Sequence, residues 1–184
     1  MIFDFGNVLI DWNPHYLYRK LLGGEDDAVD RFLAEIGFHE WNLKQDEGRP
    51  FDQAVAELCG QFPHYCHLIQ AYHDRYEETI AGPIWGTVEI LLFLKERGYP
   101  LHGLSNWSVE KFHLVRPRYS FFGWFETIVL SGEVKLVKPD PRIFRLLLER
   151  INRRAEECVL IDDSAANITV ARSLGFQTIR FRSP

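Results

Sequence analysis

Few cysteines, a single methionine and no long apolar run mark this 184-residue chain. The three cysteines, Cys59, Cys66 and Cys158, are odd in number and form no CxxC pair. That pattern suits a reducing compartment, with Cys158 in an apolar stretch expected to be buried. No window reaches the roughly 18 consecutive apolar residues of a membrane span. The N-terminus lacks the charged and apolar regions of a secretory signal, so the cytoplasm is the expected location and no membrane partner is expected. Positive charge is also in short supply: 21 Lys and Arg stand against 26 Asp and Glu, a net charge of -5. A nucleic-acid-binding surface is typically basic and clustered, so none is expected. The short pairs Arg116/Arg118 and Arg153/Arg154 read as solvated faces. There is no internal repeat and no low-complexity segment.

What is present suffices for one sizeable core. At 46% hydrophobic, the chain can bury a single α/β domain with a small subdomain, but two large domains would be a squeeze. From residue 86 onward the pattern alternates. GTVEILLFLKERG reads as an amphipathic helix closed by Gly98, followed by the apolar PLHGLS ending at Ser105 and a helical stretch from about Val109. TIVLS (127–131) then precedes the helix PRIFRLLLERI, with Pro141 suited to its first turn. CVLID ends at Asp162, the helix AANITVARSLG stops at Gly175, and QTIRF covers 177–181. Strands alternating with helices imply βαβ crossovers and a parallel sheet. The segment 15–82 differs, with helical runs at 15–22, 25–37, 51–60 and 64–80 and no convincing strand. The expected fold class is therefore α/β, a Rossmann-like doubly wound parallel sheet with a small helical cap inserted after the first strand. Residues 1–14 and 83–184 form the core, and 15–82 the cap.

Polar groups cluster where these strands end. Only three residues precede Asp4, so either the first strand is short or a few residues are missing ahead of it, and Asp4 stands where the apolar run meets a Gly-containing turn. Open α/β sheets bind ligands at the carboxyl ends of their strands. The other expected strands end at Ser105 and Asn106 and at the pair Asp162 and Asp163, with Lys138 in the loop after TIVLS. Two adjacent Asp after a buried strand are costly unless a cation or hydrogen bonds compensate. A carboxylate nucleophile, a divalent cation held by further carboxylates, a hydroxyl and a lysine are the parts of phosphoryl transfer through an aspartyl-phosphate. Mg²⁺ favours octahedral oxygen ligands and keeps several waters, which suits one or two carboxylates and a main-chain carbonyl.

At this point the chain resembles the haloacid dehalogenase-like hydrolase superfamily over nearly its whole length. FDFGNVL looks like its first motif, LSN (104–106) its second, the lysine of VKPDPRIF its third and IDDSAANITVA its fourth. The insert resembles the helical cap of subfamily I, which closes over the site and selects the substrate. The resemblance implies Asp4 as nucleophile. It implies Mg²⁺ on the Asp4 carboxylate, the Gly6 carbonyl and Asp162 or Asp163, and phosphate binding by Ser105, Asn106 and Lys138. In the cap, EWNLKQDEGR (40–49) is the expected place for specificity residues, with Trp41, Asn42 and Arg49 as candidates.

One departure matters. Phosphatases of this family usually carry a second Asp two residues after the nucleophile as general acid and base, and here that position is Gly6. Glycine has no side chain to carry a proton, so the proton must come from elsewhere, with Asp11, His15 and the substrate itself as candidates. The DFGNV form resembles a branch that includes sugar-phosphate phosphatases, among them ones acting on glucose 1-phosphate, whose anomeric leaving group needs less acid help. The expected activity is thus Mg²⁺-dependent hydrolysis of a small phosphate ester, with sugar phosphates as a candidate class. The alternatives are a 2-haloacid dehalogenase, using the same Asp without metal, and a catalytically weak binding protein. The paired acids favour metal and phosphate.

Overall fold

Ile2 and Phe3 form β1, a buried strand of two residues. In the computed structural model, which describes residues 1–184, β2 (Ile10–Trp12) is followed by five helices, α1 (His15–Leu21), α2 (Asp26–Glu35), α3 (Phe38–Asp46), α4 (Phe51–Gln61) and α5 (Cys66–Asp74). Then come β3 (Ile80–Pro83), α6 (Trp85–Glu96), β4 (His102–Ser105), α7 (Val109–Val115), β5 (Thr127–Leu130) and the short α8 (Ser131–Val134). The chain ends with α9 (Pro141–Ile151), β6 (Val159–Asp162), α10 (Ala165–Ser173) and β7 (Gln177–Arg180).

Five strands form a parallel sheet in the order β5-β4-β1-β6-β7. This is the expected α/β class. Because successive strand residues face opposite sides of a sheet, the short apolar runs feed two cores. Ile2, Leu104, Val129 and Leu160 join Ile143, Phe144 and Leu147 of α9. Phe3, Leu130 and Ile161 join a larger cluster that runs on into the helical segment through Tyr18, Phe32, Phe51 and Tyr72. Truncating a buried residue such as Leu147 to Ala in such a core costs about 2–5 kcal/mol.

β1 lies at the centre, and the strand order reverses around it. Its register pairs Phe3 with Gly103 and with Ile161. Asp4, one residue further on, therefore comes level with Leu104 and Asp162, and its N–H donates to the Ile161 carbonyl at 2.9 Å. The close approach at Gly103 explains a glycine inside a buried strand. A Cβ there would lie 2.3 Å from the Phe5 ring, which packs with Phe112, Phe122 and Phe125.

Two elements lie outside the sequence expectation. β2 and β3 pair antiparallel, joining the two ends of the helical segment. The helix α3 overlaps 40–49, and its two buried apolar residues, Phe38 and Trp41, make too short a stripe to announce it. The cysteine reading needs correcting. Cys59 and Cys66 form a disulfide, with Cα atoms 4.6 Å apart, because α4 and α5 turn back on each other. Cys158 alone is free, and it is buried as expected. No helix is long and apolar enough to cross a membrane.

Candidate active site

Asp4 follows β1 and lines a cleft of about 270 Å³. One carboxylate oxygen accepts the Phe5 N–H at 2.7 Å, and the other lies 2.9 Å from Lys138 Nζ. Burial pushes the Asp4 pKa up to about 7, with Lys138 pulling it down and Asp162 pushing it further up. Desolvation opposes the Lys138 charge, but Asp4 and Asp162 outweigh it, so the lysine pKa is raised and its ammonium is held.

The two acids after β6 have different surroundings. Asp162 is fully buried and its oxygens are engaged, by Lys138 Nζ at 2.7 Å, by Asn167 Nδ2 at 3.0 Å to each oxygen, and by the Ser164 N–H at 2.9 Å. Asp163 is half-buried and lines the cleft. Its pKa is raised by burial and by the neighbouring Asp162. Asp4, Asp162 and Asp163 each present a carboxylate oxygen within 4.8 Å of the others. Three acids this close, with one ammonium among them, leave net negative charge that a divalent cation would neutralise. A hard cation fits that oxygen set. The N–H of Asn7 donates to the Ile10 carbonyl at 2.7 Å, with Asn7 in the left-handed region at φ 55°, which shapes the turn carrying Gly6.

Ser105 ends β4 and Asn106 follows it, and both line the cleft. The Asn106 amide also fastens the lysine loop: its Nδ2 donates to the Lys138 carbonyl at 2.9 Å, and its Oδ1 accepts the Lys138 N–H at 2.7 Å. The roof comes from the helical segment. Asn42 lines the cleft, together with His39, Leu43 and Asp46 of the same helix and Trp12, Tyr76 and Trp107.

Several expected residues fall elsewhere. Trp41 is buried among Phe38, Phe51 and Tyr72, and its Nε1 donates to the Ala54 carbonyl at 3.1 Å, so it supports the helical segment and does not face the cleft. Arg49 is drawn away by Glu57 at 2.8 Å and Gln45 at 2.7 Å. Neither expected proton carrier is in the cleft wall. Asp11 accepts the Tyr16 hydroxyl at 2.8 Å, and His15 pairs with Asp26 and Asp30. The sequence reading overlooked Asp46. It sits inside the stretch singled out for specificity, and the distinguishing signal was a carboxylate one helical turn after Asn42.

Comparisons with known proteins agree with this geometry. A family model for haloacid dehalogenase-like hydrolases matches residues 1–175. A phosphorylated carbohydrates phosphatase of Thermotoga maritima is 26% identical over 182 residues, covering 97% of this chain and 82% of that protein. The (S)-2-haloacid dehalogenase 1 of a Pseudomonas species is 29% identical over 107 residues, covering 58% of this chain and 46% of that protein. Among solved structures, a HAD family enzyme of Bacteroides thetaiotaomicron in complex with magnesium and inorganic phosphate superimposes with a TM-score of 0.74 at 25% identity, covering 99% of this chain and 93% of that one. With nearly the whole chain matched and all four motif positions gathered at one sheet edge, this protein belongs to the haloacid dehalogenase-like hydrolase family.

Proposed function

We propose that the protein is a Mg²⁺-dependent phosphatase that hydrolyses a small phosphate ester, of the sugar-phosphate class, through an aspartyl-phosphate on Asp4. The observation that carries this reading is the Asp4 carboxylate at a strand end, 2.9 Å from Lys138 and clustered with Asp163 in one cleft. The match to a phosphorylated carbohydrates phosphatase over 97% of the chain supports the substrate class.

In this reading the Asp4 carboxylate attacks phosphorus, while Lys138 and Ser105 hold the phosphoryl oxygens. Asn106 keeps the Lys138 loop in place through its two main-chain bonds. The metal would be held by the Asp4 carboxylate, the Gly6 carbonyl and Asp163. Asp162 is left the task of aiming Lys138, because its oxygens are already bonded. A bound Mg²⁺ supplies positive charge that keeps Asp4 ionised and offsets its repulsion from the phosphate. Asp163 is the better ligand because it faces the cleft and its carboxylate is less engaged.

A panel of phosphate esters together with 2-chloropropionate, each with and without Mg²⁺, tests the reading. Phosphate release that requires Mg²⁺ and disappears in Asp4→Asn is the expected result. Phosphate release that survives saturating EDTA, or halide release without metal, overturns it in favour of another chemistry on the same Asp.

A further inference from the structure

We propose that Asp46, reaching in from the helical segment, is the catalytic acid and base that Gly6 cannot be. This rests on the phosphatase reading above and assigns its missing proton carrier.

The chain has a gap where a proton is needed and a carboxyl in the wall of the same cleft. A Cβ built on Gly6 meets nothing within 4 Å, so the space beside the nucleophile is open. Asp4, Gly6 and Asp46 line the same cleft. Asp46 is held there by both of its ends. On the side chain, the buried Tyr72 hydroxyl donates to Asn42 Oδ1 at 2.9 Å, which turns the Asn42 amide so that Nδ2 donates to Asp46 Oδ2 at 3.0 Å. The Ser108 backbone N–H is the other donor to this carboxyl. On the main chain, the Ser131 hydroxyl donates to the Asp46 carbonyl, and two residues further on Lys135 Nζ donates to the Gly48 carbonyl at 3.0 Å. Both anchors belong to the sheet domain, around α8, so the loop that carries Asp46 is fixed relative to Asp4.

The surroundings favour a neutral carboxyl. Loss of water raises the Asp46 pKa well above the usual carboxylate range; the Ser108 backbone N–H pulls the other way, and the charge of Asp4 adds to the rise. The residues lining the cleft with it include Asp4, Asp163, His39 and Tyr76, and the Lys138 ammonium nearby is taken up by Asp4 and Asp162.

The proton balance is then complete. As an Asp4 oxygen bonds to phosphorus, the bond from phosphorus to the ester oxygen breaks. Its electron pair goes to the leaving oxygen, which takes the Asp46 proton and departs as the alcohol. Asp46, now a carboxylate, takes a proton from water as the water oxygen attacks phosphorus. The bond from phosphorus to Asp4 breaks, its electron pair returns to the Asp4 carboxylate, and phosphate leaves. Asp46 ends protonated as it began, and the net change is ester plus water to alcohol plus phosphate.

The test compares leaving groups in the full-length enzyme with Mg²⁺ present. General acid catalysis is worth about 10²–10⁴-fold, so in single turnover Asp46→Asn should slow alcohol release from an alkyl phosphate by about that factor. Release from 4-nitrophenyl phosphate, which needs no proton, should slow by less than about tenfold, because only the acid-assisted step is lost. Water activation is lost for both substrates, so the variant should accumulate the phosphorylated protein from the aryl ester, read by mass spectrometry after acid quench. Asn42→Ala, which removes the donor that orients the carboxyl, is a second variant and should give a smaller loss with the same leaving-group bias. Adding Gly6→Asp to Asp46→Asn should restore the alkyl rate at least tenfold.

Equal loss on both leaving groups in each variant, with no trapped phosphoenzyme, overturns the assignment of Asp46. If the unmodified protein releases phosphate from no ester in Mg²⁺, the phosphatase reading itself fails and this role falls with it. Turnover by the unmodified protein with unbiased variants rejects the role of Asp46 alone.

Discussion

The Lys138 ammonium is 2.7 Å from Asp162, with both side chains almost wholly enclosed. Removing one partner of a buried pair costs about 3–5 kcal/mol when the other charge is left alone, and less here because Asp4 stays 2.9 Å from the same ammonium. Asp162→Ala should therefore lower the melting temperature by several degrees, since each kcal/mol is worth about 2–4 °C in a chain of this size. Asp163, half-buried and facing the cleft, lacks that enclosed partner. Asp163→Ala should leave the melting temperature nearly unchanged and raise the Mg²⁺ concentration needed for half-maximal activity. Thermal melts of the two variants, alongside Mg²⁺ titrations, separate positioning from ligation. Equal melting losses would show that the two acids share one role.

Glu78 ties the first helix of the segment to its exit, through Arg75 at 2.6 Å and Lys20 at 2.8 Å. The Arg75 and then Lys20 hydrogen bonds lower its pKa from 4.5 to about 2. A carboxylate whose folded pKa is depressed adds stability above its unfolded value and loses it as pH falls toward the folded value. The side chain is a third exposed, so solvent screening limits the contribution to about 1 kcal/mol or less. Glu78→Gln should thus unfold at lower urea than the unmodified protein at neutral pH, and the gap should narrow between about pH 5 and about pH 3. A gap independent of pH would mean that the pair contributes through packing and not through charge.

The glycine of β4 gives a sharper structural test. At Gly103 an added Cβ would sit 2.3 and 2.7 Å from two ring atoms of Phe5, whose ring is wedged among three other phenylalanines. Overpacking of this kind costs about 1–3 kcal/mol. Gly103→Ala should lower the melting temperature, and since Phe5 adjoins the nucleophile, it should also lower kcat. Pairing it with Phe5→Leu, which makes room, should return part of the stability. Simple addition of the two losses would contradict the contact.

How much of this was legible beforehand follows from the kind of signal each part sends. Asp4, Ser105, Lys138 and the Asp162/Asp163 pair each terminate or follow a short apolar run, so their gathering follows from parallel topology alone. The roof has no such rule. Trp41 and Arg49 stand in the same ten-residue stretch as Asn42 and Asp46, but only the latter two line the cleft. The buried positions of α3, Phe38, Trp41 and Gln45, share one helical face, but a glutamine among them blunts the apolar signal, and which face meets the cleft depends on packing against Phe51 and Tyr72. The disulfide escaped for a related reason: a spacing of seven residues becomes a 4.6 Å Cα approach only once α4 and α5 fold back.

Gly48 is the last point on which the cleft depends. Its φ of +100° suits glycine alone, and a Cβ there would lie 2.7 Å from the Gly132 carbonyl and 2.0 Å from Lys135 Nζ. The lysine can swing away, but the backbone carbonyl cannot, and a side chain at positive φ adds roughly 1–2 kcal/mol. Gly48→Ala should therefore move the loop that follows Asp46 and lower kcat for an alkyl phosphate several-fold, along with a modest melting loss. Lys135→Met removes only the tie to the Gly48 carbonyl. It should cost well under 1 kcal/mol, as exposed contacts do, and lower kcat less than Gly48→Ala. If Gly48→Ala melts early yet turns over alkyl phosphate at the unmodified rate, the loop is a structural brace and has no part in aiming Asp46.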